Sequence, residues 1–253
     1  KKIYKMNLNI KYQLFESPFP HIIYENFLSE VEQKEILNEI LEVDNKSKVN
    51  KVMGGRYQYP VDQFNDKCIT KKLFDFFNSK KTFETLRKGL LPDVETSEFY
   101  LKSNKFNKFL NKKNFYHKFL KKIFPIILKK SFFLHMDFSV AKNNYFREPH
   151  HDKETRIISF LLYLNTAADN HGGALEIFQF RDKERYERFP KQDKIFVEKK
   201  VEPKSGRLVA FLSCPNSIHG VQKFEPKNNE KRVFAYGSYT SFFNVEWLRK
   251  VIK

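Results

Sequence analysis

The sequence predicts an α+β protein, mainly β in its core: an antiparallel sandwich or jelly roll behind a helical N-terminal region. Three observations lead there. From about Ser131 onward, short β-rich runs follow one another with Gly, Pro, Asn and Asp signals between them. No helix-length segment separates most of these runs, which argues against a parallel βαβ sheet. Before Ser131, apolar residues recur at helical spacing instead.

Taken in chain order, "NFLSEVEQKEILNEILEV" offers Ser29 as an N-cap with Glu32 three residues on, a capping box. Val31, Ile36, Leu37, Ile40 and Leu41 then supply an apolar stripe. Phe109, Tyr116, Phe119, Leu120, Ile123 and Ile127 repeat that spacing in the segment Leu101–Lys130, where Pro125 should kink or end a helix. The β-rich runs are "SFFLHMDFSVAK", "RIISFLLYLN", "GALEIFQF", "RLVAFLS", "IHGVQKF" and "RVFAYGSYT". "RDKERYERFPKQDKIFVEKK", Arg181 to Lys200, reads as a charged excursion, and "NVEWLRKVIK" as a short closing helix. Residues 1–130 are expected to form a mostly helical region supporting a β core in 131–253, the two making one structural unit.

Composition narrows the function classes. The 253 residues suit one large domain, or a core with a helical extension. There is no apolar run of about 18 residues, so no transmembrane helix is expected. The first residues lack an apolar h-region, so no signal peptide is expected either. Two cysteines, Cys68 and Cys214, are too few for a disulfide framework or a zinc cluster, and a cytoplasmic location is the default. The net charge is +17, from 47 lysines and arginines, only ten of them arginine. Leu101–Lys130 holds ten lysines and no acid. A solvated helix face backing the sheet is the first reading of that segment; a polyanion or membrane-surface contact through residues 101–130 is the rival.

The chemistry gathers around "REPHHDKE". In a strand, residues i and i+2 share a face, so His150 and Asp152 can present an imidazole and a carboxylate to one point while His151 turns away. Alone this is a weak signal, since His135-Met136-Asp137 has the same form and reads as ordinary packing. A third ligand changes its weight. His219 lies between two strand candidates in "NSIHGVQKF", and two histidines with one carboxylate make a facial triad that leaves coordination positions open. Thirteen residues further on, Arg232 opens the next strand, where it could pair bidentately with a carboxylate held deep in a barrel. Metal, open positions and a buried arginine together suggest an Fe(II) site that chelates a dicarboxylic 2-oxo acid.

In this order the run from Pro149 to Tyr239 resembles the prolyl-4-hydroxylase-like branch of the 2-oxoglutarate/Fe(II) dioxygenases. The matching elements are "PHHD", "RIISFLLYLN", "GGALEIF", "VEPKSGRLVAF", "HGV" and an Arg-led final strand, with a weaker echo in "SPFPHIIYENFLSEVE". The resemblance implies a double-stranded β-helix of jelly-roll or cupin-like form. It implies iron ligands His150, Asp152 and His219, with Arg232 binding the distal carboxylate of 2-oxoglutarate and Tyr163 donating a hydrogen bond to it. The spacing from His219 to Arg232 is a few residues longer than is common in the family, with "EPKNNE" as a turn insertion. Lys231 is therefore a minor rival to Arg232, and Lys223 a remoter one.

The implied cofactors are Fe(II), with 2-oxoglutarate and O₂ as co-substrates and ascorbate as a further candidate. The implied reaction hydroxylates an unactivated C–H bond, with 2-oxoglutarate leaving as succinate and CO₂. A prolyl residue of a protein or peptide is the most family-like substrate; a small molecule, sugar, lipid or nucleobase is the alternative. A non-catalytic module of this fold, holding a polyanion or a membrane through the basic segment, is the reading from a different class.

The remaining histidines and polar residues have plainer readings. His151 is expected to face outward or to back the site, and His171 and His117 to lie on the surface. Arg156 is expected to be structural. Tyr145 and Phe146 are candidates for the pocket mouth. Cys214 lacks the orienting partner and signature a nucleophile needs.

Overall fold

The computed structural model describes residues 6, 8, 10–46, 51–52, 55–91, 100–101, 131–168, 170–182, 187–242 and 244. The lysine-rich stretch 102–130, with its expected helix and polyanion contact, and nearly all of the expected closing helix lie outside them. Among the described residues no helix is long and apolar enough to cross a membrane.

Ser29 caps the first helix as the capping box requires. Its backbone N–H and hydroxyl both donate to Glu32 Oε2, at 2.9 and 2.8 Å, and α1 runs from Glu30 to Lys46. The buried line along α1 is Glu32, Ile36, Ile40 and Asp44, with Leu37 and Leu41 packed beside it. Val31, expected in that stripe, is 59% exposed. Its place in the first turn falls to Glu32, whose side chain is drawn inward by the cap. Two further helices follow, α2 (Ile69–Phe77) and α3 (Lys80–Leu90), the latter capped by Ser79, whose side chain accepts from Thr82 N–H.

Thirteen strands are described: β1 (Gln13–Phe15), β2 (His21–Tyr24), β3 (Lys51–Val52), β4 (Arg56–Pro60), β5 (Tyr100–Leu101), β6 (Ser131–Ala141), β7 (Tyr145–His150), β8 (Arg156–Tyr163), β9 (Leu175–Phe180), β10 (Ile195–Val201), β11 (Leu208–Leu212), β12 (His219–Phe224) and β13 (Arg232–Ser241). They form two sheets. The larger has the order β1-β2-β11-β8-β13-β6-β4-β3, with β5 beside β6; the smaller has the order β10-β9-β12-β7. Nearly all pairings are antiparallel, β5 with β6 being parallel. This is the expected mainly β, jelly-roll core. β2 hydrogen-bonds β11 and β4 hydrogen-bonds β6, so residues on both sides of position 131 build one sheet.

Strand alternation sorts the side chains of the large sheet into two layers. On β13, Val233, Ala235 and Tyr239 join the cluster that also holds Ile36, Leu73 and Phe83 of the helices. Phe234 belongs instead to the cluster between the sheets, with Leu161, Tyr163, Leu175 and Ile177. Gly237 lies opposite Phe160, where a Cβ would come within 2.2 Å of the ring, and that ring stacks on Phe77 at 4.3 Å. A side chain at 237 would push Phe160 off the helix layer. The helices thus cover one face of the large sheet, and the other face is left for the small sheet and the space between.

The six expected β-rich runs all contain strands. The excursion Arg181–Lys200 differs from expectation, because its second half is β10, paired with β9 through a bulge. β10 ends the small sheet and shows charged residues to solvent, which hides its strand character in the sequence.

Candidate active site

β7 and β12 are antiparallel neighbours in the small sheet, and their register sets His150 opposite His219. The two imidazole centroids are 4.6 Å apart. Between His150 and Arg147 the register shifts against His219 and Val221, so β7 carries one extra residue there. That bulge turns Arg147, as well as His150, toward the cavity, where both line the wall. Asp152 lies just past the end of β7 rather than on a strand, so the strand-alternation reading of His150 and Asp152 is corrected. Its carboxylate is held from the large sheet instead: Arg156 Nη1 donates to Oδ1 and Ser159 Oγ to Oδ2.

One potential ligand atom from each of His150, Asp152 and His219 lies within 4.8 Å of the others, and all three residues are buried. His150 Nδ1 is 2.8 Å from Glu148 O, and His219 Nδ1 is 2.9 Å from Ser217 O. A carbonyl only accepts, so Nδ1 carries the proton in each ring and Nε2 keeps the lone pair a metal needs. Burial pulls His150 down to about 3, assisted by His219, and burial lowers His219 against the pull of Asp152. Burial pushes Asp152 up, yet His219, Arg156 and the Ser159 hydrogen bond together hold it below the usual carboxylate range. At neutral pH the site is two neutral imidazoles and one carboxylate.

A pH dependence follows. The folded-state pKa of His150 lies below its unfolded value near 6.5, so on acidification the unfolded chain takes up the proton first and stability falls from there toward about pH 3. Denaturant titrations of the metal-free chain should lose about 1.4 kcal/mol per pH unit from His150 across that window, with His219 acting in the same direction. A flat profile would contradict neutral buried rings.

A cavity of about 280 Å³ opens in front of the three residues and reaches Arg232. Arg232 is 1% exposed, and among the described residues none of its three guanidinium nitrogens has a hydrogen-bond partner. Its guanidinium carbon lies 4.5 Å from the Phe234 ring centroid and 5.1 Å from that of Tyr163, an aromatic sleeve with no counter-ion. Tyr163 is buried and its hydroxyl donates a long bond to Val201 O, at 3.4 Å. Burial pushes its phenol up, against the pull of the Arg232 charge, so it keeps its proton. Lys231 turns the other way and donates to Asp44 Oδ2 of α1 at 2.7 Å. Lys223 is half exposed and paired with Glu225.

Residues 130–237 match the family described as the 2OG-Fe(II) oxygenase superfamily. They belong to that superfamily. A comparison with curated proteins finds no match. Among solved structures, the chain is similar to a prolyl-4-hydroxylase from Pseudomonas putida, at 16% identity and a TM-score of 0.51, over 87% of this chain and 92% of that one. It is similar also to a prolyl hydroxylase from Trichoplax adhaerens, solved with a peptide fragment of the hypoxia inducible factor oxygen degradation domain, at 14% identity and a TM-score of 0.52, over 92% and 87%. A third is the epimerase SnoN in complex with Fe3+, alpha ketoglutarate and nogalamycin RO, at 11% identity and a TM-score of 0.50, over 87% and 78%. At such identities these likenesses speak for the fold.

The oxygenase superfamily uses Fe(II) and 2-oxoglutarate with O₂, and the residues present fit both. The His-Asp-His set is a donor set suited to Fe(II). The unpartnered guanidinium of Arg232 lacks only the carboxylate that would balance it, and an unpaired buried charge is costly enough to need one. Gly173 makes the space: φ is +81°, and a Cβ there would stand 3.0 Å from Arg232 Cδ and 3.2 Å from the Phe224 ring. Gly173→Ala is expected to weaken 2-oxoglutarate binding by about tenfold, through overpacking against Arg232. Calorimetric titration would read it, and unchanged affinity would contradict a need for Arg232 in this position.

His151 is not in the ligand group; its Nδ1 bonds Asp152 O at 2.7 Å and its N–H donates to Arg188 O. His135 and Asp137 stand apart from the metal group, with Asp137 accepting from Ser139 Oγ at 2.6 Å and Gln58 Nε2 at 2.9 Å. Tyr145 lines the cavity, whereas Phe146 is exposed on the outer groove. His171, expected on the surface, is buried and paired with Glu230 at 2.9 Å. Cys214 is buried and its thiol pushed up to about 12, which fits no nucleophilic role.

Sequence reasoning missed Arg156 as a site residue. It clamps Asp152, donates to Tyr236 Oη, and lies four residues past Asp152, a spacing that could have raised it. Arg56 and Arg188 also reach the cavity, from a short strand and from the excursion, and no local pattern marks either.

Proposed function

We propose that the protein is a 2-oxoglutarate- and Fe(II)-dependent hydroxylase that acts on a prolyl residue of a protein or peptide. The observation that carries the reading is the pairing of the buried His150-Asp152-His219 set with an unpartnered Arg232 in one cavity. In this reading His150, Asp152 and His219 hold Fe(II). Arg232 receives the distal carboxylate of 2-oxoglutarate, with Tyr163 turning its hydroxyl proton to the same group. With O₂, the bound metal and 2-oxoglutarate supply an oxidant for an unactivated C–H bond, releasing succinate and CO₂.

The chain's own residues do the positioning. Arg156 and Ser159 fix the Asp152 carboxylate, and the carbonyls of Glu148 and Ser217 fix the two ring tautomers. Leu161, Leu175, Phe211 and Val221 line the walls and keep water from the reacting carbon. No side chain is required as a general base. The prolyl substrate is supported by fold likeness to two prolyl hydroxylases, while the likeness to SnoN keeps small molecules in view as the alternative.

The test is a proline-containing peptide library incubated with the chain, Fe(II), 2-oxoglutarate and O₂, read by mass spectrometry. The reading expects peptides that gain one oxygen on proline. Turnover of small molecules with no peptide modified would overturn the substrate and leave the oxygenase chemistry standing.

A further inference from the structure

The cavity in front of the histidines is lined by six cationic residues, Arg56, Arg147, Lys153, Arg156, Arg188 and Arg232, and by one carboxylate, that of Asp152. Two of the cations have work inside the site. Arg232 sits at the base, and Arg156 is spent on Asp152 and Tyr236. The other four remain. Arg56 stands 3.8 Å from Asp137 and otherwise faces the Phe234 and Tyr236 rings. Arg147 and Lys153 are exposed and form no ion pair among the described residues. Among the described residues, the Arg188 side chain contacts His151 O at 3.5 Å, stacks over Phe189 and forms no ion pair.

These groups come from four separate places: β4, the bulge of β7, the residue after Asp152, and the excursion before β10. Like charges brought together from unrelated segments repel one another, and a fold that gathers them gains only when an anion arrives. The mouth also does not end at the first cavity. A groove of about 570 Å³ continues from it over the small sheet, sharing Arg147 and Val221 with the first cavity and lined further on by Phe146, Phe178, Phe196 and Val197. It also holds Glu148, Lys223 and Glu176, the last paired with Lys200, so the cationic surplus belongs to the first cavity and the groove itself is apolar and charge-balanced. Phe189 stands 56% exposed beside the mouth. β7 closes the strand order of the small sheet, a position along which an extended chain can align. A compact anion would use only the first cavity; an extended ligand can use both.

We infer that the substrate is an acidic peptide: an extended segment whose carboxylate side chains beside the hydroxylated residue are received by Arg147, Lys153 and Arg188, with Arg56 deeper in. The inference rests on the peptide-hydroxylase reading and narrows it. It gives the excursion Arg181–Lys200 a purpose, since that segment brings Arg188 and Phe189 to the mouth. The net charge of +17 acts in the same direction, drawing an acidic segment in at long range.

The test reads binding rather than turnover, so it stands or falls apart from the catalytic reading. Fluorescently labelled short peptides with a central proline flanked by aspartates, or by asparagines, are titrated with the full chain at about 0.15 M salt. The aspartate peptide should bind about tenfold more tightly, the margin shrinking as salt rises. Arg147→Gln and Arg188→Gln should each remove about threefold or more of that margin and leave the asparagine peptide unaffected. Lys34→Gln, on the exposed side of α1, serves as the control for net charge and should change neither. Equal binding of the two peptides would overturn the inference. So would an equal loss on Lys34→Gln, or displacement of the aspartate peptide by free glutamate at concentrations that saturate the site as a small molecule would.

Discussion

His150→Ala should abolish metal binding, and His151→Ala should largely spare it. The two residues are neighbours in sequence, but the bulge and the register with β12 commit only His150 to the position opposite His219. Removing one of three protein ligands should weaken Fe(II), or Mn(II) as its stand-in, by more than the ~10–100-fold that loss of an outer partner costs. His151 is such an outer partner, through Nδ1 on the Asp152 carbonyl, so its loss should stay within about tenfold. Metal titration of both variants checks it. Equal losses would mean that the His151 side chain holds the metal site as strongly as His150 does, contrary to the assignment of His150 alone.

The second large effect is at Arg232. Arg232→Met should cost about 2–5 kcal/mol of 2-oxoglutarate affinity, because the carboxylate would enter an apolar sleeve with no cation. The same substitution should leave the ligand-free chain as stable as the parent, or more stable by about 1–4 kcal/mol, since it removes a buried charge with no partner and replaces it with a side chain of similar volume. Thermal melts with and without 2-oxoglutarate separate the two effects. The parent should gain about 2.7 kcal/mol at a ligand concentration one hundred times its Kd, and the variant less than about 1 kcal/mol at the same concentration. A ligand-free variant that is strongly destabilised would show that Arg232 is satisfied within the protein.

Much of this was legible in the sequence, for physical reasons that differ between elements. β6, β8, β9, β11 and β13 read as strands because they are largely apolar, buried and bounded by turn residues, and β12 because it lies between turn signals. β10 did not, since "IFVEKKV" shows charged side chains to solvent, and β7 was legible only at its His150 end, since the rest of "YFREPH" is charged and exposed. Val31 misled because a stripe of apolar letters cannot show that a capping glutamate takes the buried place. The three potential ligands were legible because their order along the chain is distinctive; Arg232 was legible only with Lys231 and Lys223 as rivals, and the fold separates them by turning Lys231 to Asp44 and leaving Lys223 half exposed. Arg56 and Arg188 were not, because only tertiary structure brings a short strand and the excursion to the cavity. Arg156 carried a signal in its spacing from Asp152, whereas its contact with Tyr236 needs the folded sheet.

The most direct measurement is succinate formed from 2-oxoglutarate by the full chain with Fe(II) and O₂, without any added substrate. The account predicts slow turnover that disappears in His150→Ala and falls sharply in Arg232→Met. No succinate from the parent chain, together with no binding of 2-oxoglutarate to it, would contradict the site at its centre.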